Sequence, residues 1–231
     1  MTLEKKDFIE IEFTGKTKEG EVFDSNVKEE LEKLHHGHNH PVETKPFIFC
    51  LGEGMFIKGV DEFLIGKEIG EHKISVSPEK GFGKRDPKLI RMVPLNEFKK
   101  SNLNPIPGSV FNFDGKIGKV LTVSSGRVII DFNNPLAGKD VEYDVKVLRK
   151  VEDLNEKIKA MNEFLFQNNF EFKVEGKKLK LKLPSEAKQF VELFKEKYKE
   201  IFGLEIEIEE IDNSKKWEYK KEDSENKEKT E

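Results

Sequence analysis

Val141-Glu142-Tyr143-Asp144-Val145-Lys146-Val147-Leu148 carries its apolar residues at the odd positions, with polar residues between them up to Leu148. Alternation of period two over that length predicts a strand with one face in a core. The stretch before it, residues 87–135, has a different character. Pro87, Pro94, Pro105 and Pro107 punctuate its first part. Residues 110–113, 119–123 and 127–132 then have strand composition, with Asp114-Gly115 and Ser125-Gly126 as turns. This stretch has the size of a small all-β module.

Further upstream, the first 86 residues are β-rich. Phe8-Ile9-Glu10-Ile11-Glu12-Phe13 predicts a strand whose alternation slips at Phe8-Ile9. Lys18-Glu19-Gly20-Glu21 predicts a turn into Val22-Phe23. Residues 27–34 allow two helical turns with Val27, Leu31 and Leu34 on one face. Phe47-Ile48-Phe49-Cys50-Leu51, between Pro46 and Gly52, predicts a buried strand. A short helix over 56–64 closes at Gly66 and Gly70, and Lys73-Ile74-Ser75-Val76 predicts another strand. Downstream of the opening stretch the period becomes helical: Leu154, Ile158, Met161 and Leu165 form one stripe. Strands over 170–174 and 179–183, a helix from Ser185 as N-cap through Ala187, Phe190, Val191, Phe194, Tyr198 and Ile201, and a strand at Leu204, Ile206 and Ile208 complete an αββαβ unit. Residues 213–231 carry six Lys and six acids, and predict a disordered or loosely helical tail.

Composition excludes several function classes. Of 231 residues, 35% are hydrophobic and 37% charged, yet 19 Phe in patterned positions can build cores. No run of 18 apolar residues and no leader-like start are present, so neither a membrane span nor a signal peptide is expected. The single Cys50 cannot form an internal disulfide, which fits a reducing cytoplasm. A net charge of −4 gives no bulk reason to bind nucleic acid. Gln occurs only at 167 and 189 among abundant charges, a balance resembling thermophilic proteins.

The aromatic residues Phe13, Phe23, Phe47, Phe49, Phe56, Phe82 and Tyr143 lie on or beside predicted strands and turns, as do Ile57 and Asp24. Composition alone makes the rings a sheet core; Asp24 is the exception, because a carboxylate beside a ring run needs a partner or an open pocket. Four motifs carry a resemblance: Gly20-Glu21-Val22-Phe23-Asp24-Ser25, Pro46-Phe47-Ile48-Phe49, Phe56-Ile57-Lys58-Gly59-Val60-Asp61 and Ser77-Pro78-Glu79-Lys80-Gly81-Phe82-Gly83. In that order they resemble the FK506-binding-protein (FKBP) prolyl isomerases. Asp131-Phe132-Asn133-Asn134-Pro135-Leu136-Ala137-Gly138-Lys139 resembles the SlyD branch, in which an inserted-in-flap domain interrupts the isomerase domain. The resemblance covers residues 13–148, and the αββαβ unit suits the long archaeal members.

The resemblance implies an α+β fold. An FKBP-like antiparallel sheet wraps a short helix over 1–86 and 136–152, the insert occupies 87–135, and 153–212 forms the C-terminal domain. It implies a peptidyl-prolyl cis-trans isomerase that accelerates proline-limited folding. In it Asp24, Phe23, Phe82 and Tyr143 are catalytic, and Phe13, Phe47, Phe49, Phe56, Ile57 and Val60 bind substrate, with the Ile57 N–H holding a substrate carbonyl. Phe82 stands where the family usually has Tyr, and Val60 where many eukaryotic members have Trp. Clients would be unfolded chains with X–Pro bonds; FK506-like macrolides are candidate ligands, and no cofactor is required. In SlyD-type proteins the insert binds unfolded chains, and here Ile90, Met92, Val93, Leu95, Phe98, Val110 and Phe111 are its candidates, against the alternative that they fill a small β core.

Two features stand apart. His35, His36, His38 and His40 are candidate Ni or Zn ligands, since imidazole suits both ions, but no Cys or carboxylate completes a closed site. Residues 151–212 carry 11 Lys against 15 acids, which argues against nucleic acid and leaves dimerisation or client contact through an exposed sheet edge. The rival functions are a non-enzymatic holdase and a metal-handling protein.

Overall fold

The computed structural model describes residues 2–34 and 44–211. The chain divides into two compact units, Met1–Val151 and Glu152–Glu231. In chain order the first holds strands β1 (Phe8–Thr17) and β2 (Val22–Ser25), helix α1 (Lys28–Leu34), strand β3 (Phe47–Cys50), helix α2 (Lys58–Leu64) and strand β4 (Gly70–Val76). Strand β5 (Ile90–Pro94), helix α3 (Leu95–Lys100) and strands β6 (Val110–Phe113), β7 (Lys116–Ser124) and β8 (Arg127–Asp131) follow. Strand β9 (Val141–Lys150) then returns to the first sheet.

That sheet runs β2-β1-β9-β4, with β3 also on β1, and every pairing is antiparallel. The alternation of 141–148 translates directly into burial: Val141, Tyr143, Val145 and Val147 are all at most 2% exposed. β1 shares one edge between two partners, β3 along Phe8–Ile11 and β2 from Thr14 onward. In the gap the Asn26 side chain acts as a strand residue. Its Oδ1 accepts from the Phe13 N–H at 2.7 Å, and its Nδ2 donates to the Ile11 carbonyl at 3.0 Å and the Lys45 carbonyl at 3.3 Å. Backbone groups that would otherwise be orphaned are thereby paired. Phe8 and Ile9, where the alternation slips, are both buried on opposite faces of the pleat. Helix α2 starts at Lys58 because Ile57 is extended, and it buries Val60, Asp61 and Leu64.

The second sheet runs β5-β8-β7-β6, also antiparallel. The expectation of an all-β module is corrected by α3, whose Phe98 is 2% exposed and packs with Val120, Val128 and Ile130. Phe98 meets Phe111 at 5.4 Å and Phe113 at 5.8 Å between ring centroids. A four-stranded sheet this small has too little inward area to close its own core, so one helix covers that face. Gly118 permits this packing, since a Cβ there would come within 2.6 Å of Ile130.

The second unit has helix α4 (Leu154–Phe166), strands β10 (Phe172–Glu175) and β11 (Lys178–Pro184), helices α5 (Ser185–Glu192) and α6 (Lys195–Phe202) and strand β12 (Glu205–Ile211). Its sheet runs β10-β11-β12, with β11 and β12 parallel. A parallel pair needs a long crossover, and α5 with α6 supplies it. The single helix expected there is thus two, broken where Phe194 leaves helical geometry (φ −104°, ψ 4°). Ser185 is the first residue of α5 rather than its cap; Pro184 holds that position. Ile158 and Met161 of the α4 stripe are fully buried, whereas Leu154 is exposed. Among the described residues no helix is long and apolar enough to cross a membrane. The predicted tail lies outside the described residues.

Candidate active site

Gly15 organises the site. In the sheet register it stands opposite Asp24 on one side and Tyr143 on the other. A Cβ at this position would lie 2.7 Å from the Phe23 ring and 3.0 Å from Tyr143, so only glycine lets these two rings close over β1. Phe23 and Tyr143 then meet edge to face at 5.8 Å, and Phe82 meets Phe23 at 5.5 Å. From Tyr143 the rings continue to Phe13 at 6.2 Å and Phe56 at 5.8 Å. Phe56 in turn touches Phe13 at 4.8 Å, Phe47 at 5.6 Å and Phe49 at 5.5 Å. Such edge-on and offset contacts are the favoured geometry for aromatic pairs.

The seven ring candidates are thus in one cluster, but they do not share one exposure. Phe23, Phe47, Phe56 and Phe82 are half-buried and offer ring surface to a ligand. Phe49 is fully buried, Tyr143 nearly so and Phe13 8% exposed; these rings support the exposed ones, and Val60 is buried on α2. Ile57 is half-buried at the start of α2, where its carbonyl accepts from Val60 and Asp61, both at 3.0 Å. Its N–H donates to no acceptor among the described residues.

Asp24 stands exposed on β2 beside the half-buried rings. Partial desolvation raises its carboxyl above the usual aspartate range, opposed by the Ser25 N–H. Burial, and then the Asp24 charge, hold the Tyr143 hydroxyl far above the ordinary tyrosine range, so it stays protonated as a donor. The turn before Phe56 and Ile57 is pinned from below by Asp61, which is 5% exposed and accepts the Gly52 N–H at 2.7 Å. Burial raises the Asp61 carboxyl, and the Gly52 and Gly54 N–H groups work against that rise.

Gly15, Asn26 and Asp61 were not singled out from sequence. Gly15 alone left a signal, a glycine following strand residues, which marks close approach of another chain segment. A groove of about 480 Å³ is lined mainly by the polar residues Glu12, Thr14, Glu71, Lys73, Asp144 and Lys146, with Phe13 also at its wall. There Lys16 and Lys73 pair with Asp144, and Lys146 with Glu71.

The insert candidates separate by face. Phe98 is core, a correction to its reading as a binding residue, and Val93, Leu95 and Phe111 pack partly against that core. Ile90, Met92 and Val110 are exposed at 37%, 57% and 58%, and Ile117, not singled out before, at 65%. His35, His36, His38 and His40 lie outside the described residues. Among the described residues no group of three or more His, Cys, Asp or Glu could hold a metal ion.

Aromatic side chains gather over an antiparallel sheet, with a free backbone donor and one carboxylate at the rim, and leave an open apolar surface. Residues 91–136 match the family model described as "FKBP26, IF domain". The short-type peptidyl-prolyl cis-trans isomerase of Methanocaldococcus jannaschii is 33% identical over 146 residues, covering 63% of this chain and 92% of that protein. The FKBP-type 16 kDa peptidyl-prolyl cis-trans isomerase of Escherichia coli K12 is 32% identical over 110 residues, 45% of this chain and 73% of that one. SlyD of Haemophilus influenzae, also named an FKBP-type isomerase, is 26% identical over 163 residues, 68% and 77% of the two chains. The chain belongs to the FKBP-type peptidyl-prolyl cis-trans isomerases and is an enzyme of that type.

Proposed function

We propose that the ring cluster isomerises X–Pro bonds in folding protein chains, and that the module of residues 87–135 holds those chains beside it. The observation that carries the first part is the unbroken run of ring contacts from Phe82 to Phe49, with half-exposed rings beside Asp24. The uncatalysed rotation faces a barrier of about 18–20 kcal/mol and takes roughly tens to hundreds of seconds. Lowering it by ~4–7 kcal/mol gives about three to five decades in rate. No bond breaks, so the chemistry calls for no nucleophile and no metal.

The planar amide separates more charge than the twisted one. An apolar surface shaped for the twisted form therefore destabilises the start relative to the transition state. Phe13, Phe47 and Phe56, supported by Phe49, take the prolyl ring. The Ile57 N–H donates to a substrate carbonyl, while Phe23, Phe82, Tyr143 and Asp24 surround the rotating amide. Phe82 has no hydroxyl, so the substrate receives no hydrogen bond from that position, and selectivity rests on shape.

The insert's part is supported by the exposed Ile90, Met92, Val110 and Ile117, which alternate with core residues and share the uncovered face of their sheet. Binding a chain there raises its effective concentration at the rings. Deleting residues 88–134 is expected to leave isomerisation of short proline peptides largely intact and to slow catalysed protein refolding by about tenfold or more. Equal losses in both assays would refute the division of labour.

A further inference from the structure

Two chain segments connect the isomerase sheet to the insert, residues 83–89 outward and 131–138 back, and the contacts between them are dense. The Gly138 N–H donates to the Gly83 carbonyl at 2.8 Å, and the Phe132 N–H to the Leu89 carbonyl at 3.0 Å. Asn133 spans the gap in both directions, accepting the Asp86 N–H at 2.8 Å and donating to the Asp86 carbonyl at 3.0 Å. At the centre is Asp131, the last residue of β8 and only 9% exposed. It accepts from the Arg85 guanidinium, from the Asn133 N–H at 2.9 Å and from the Asn133 amide at 2.7 Å.

A carboxylate this buried is costly unless it is fully paired, and truncating one partner leaves the charge uncompensated. Burial works to raise the Asp131 carboxyl, but Asn133 and Arg85 outweigh it and hold it below the usual range. The cluster lies outside the ring site and outside the core of the insert, which is built on Phe98, Val120, Val128 and Ile130. What it ties together is the flap segment that carries Phe82, three residues before Arg85, and the strand by which the insert returns.

We propose that Arg85, Asp131 and Asn133 form a latch that fixes the insert's orientation to the flap, so that a chain held on the insert presents its prolyl bonds to the rings. These are positioning residues, not catalytic ones. The gain from tethering depends on geometry: two linked sites reinforce each other only when both can be engaged at once, and a loose connector dilutes the second encounter. The inference rests on the proposed client-holding role of the insert.

The test compares Arg85→Ala, Arg85→Lys and Asn133→Ala with the intact chain in three assays: isomerisation of a proline tetrapeptide, affinity for a permanently unfolded protein, and catalysed refolding of a proline-limited protein at dilute substrate. Arg85 is half exposed, with a side-chain exposure of 49%, so its replacement spares both cores. The latch predicts peptide turnover and unfolded-chain affinity within about twofold of the intact protein, with refolding catalysis down roughly tenfold and partly rescued by Arg85→Lys. Unchanged refolding catalysis in Arg85→Ala and Asn133→Ala would overturn it, and so would parallel losses in all three assays. If the 88–134 deletion itself leaves refolding catalysis intact, the client-holding role is what fails, a result separable from a latch that does nothing in an otherwise two-part enzyme.

Discussion

Partial burial raises the Asp24 carboxyl above the ordinary aspartate range, so at neutral pH the folded protein carries that charge at a cost in stability. A carboxyl whose folded pKa exceeds its unfolded one contributes stability below the unfolded pKa and loses it as pH rises through the folded value. Asp24→Asn is therefore expected to raise the melting temperature slightly at pH 7 and not in acid, while lowering turnover. Turnover of the intact enzyme should fall as pH drops through that raised pKa, and the Asn variant should show no such limb. A thermal melt and a pH–rate profile check both halves. Gly15→Ala makes a different demand. With Phe23 ring atoms 2.7 Å from the new Cβ, the ring must move. Overpacking of this kind costs about 1–3 kcal/mol, and the displaced ring is expected to lower kcat/KM by about tenfold, mainly through KM.

Within the insert, α3 and the open sheet face separate stability from binding. Phe98→Ala removes the ring at the centre of that core and is expected to cost about 3–5 kcal/mol, unfolding the insert in a denaturant titration. Met92→Asp, on the exposed face, should leave the melt within about 0.5 kcal/mol and weaken capture of an unfolded protein. The strands were legible because their period was: Tyr143, Val145 and Val147 alternate, and the structure buries each one. Helix α3 was not, because six residues following Pro94 give less than two turns of pattern. The stripe from Ala187 to Ile201 hid the break between α5 and α6, because Leu193 remains helical and Phe194 departs without a Gly or Pro to mark it.

Across the isomerase part of the chain, five of the rings were readable because each sits in a short local motif, from Phe23-Asp24 to Gly81-Phe82-Gly83, while Phe13 and Tyr143 lie on strands whose alternation marks them. Asn26 was not readable, and Gly15 signalled a close approach without naming its partners, because both roles exist only when β1 is flanked by β9 on one edge and by β2 and β3 on the other. Asp61 is a similar case: a helix carboxylate becomes a support for Phe56 and Ile57 only once the Gly52 turn folds onto it. The measurement that bears most directly on the ring site is the refolding rate of a protein limited by a prolyl isomerisation, with enzyme at about one-hundredth of the substrate. Turnover by the ring cluster predicts a rate that rises in proportion to enzyme, and that falls by about tenfold or more in Phe23→Ala. A higher yield of refolded protein with no change in rate, in the intact chain, would contradict it.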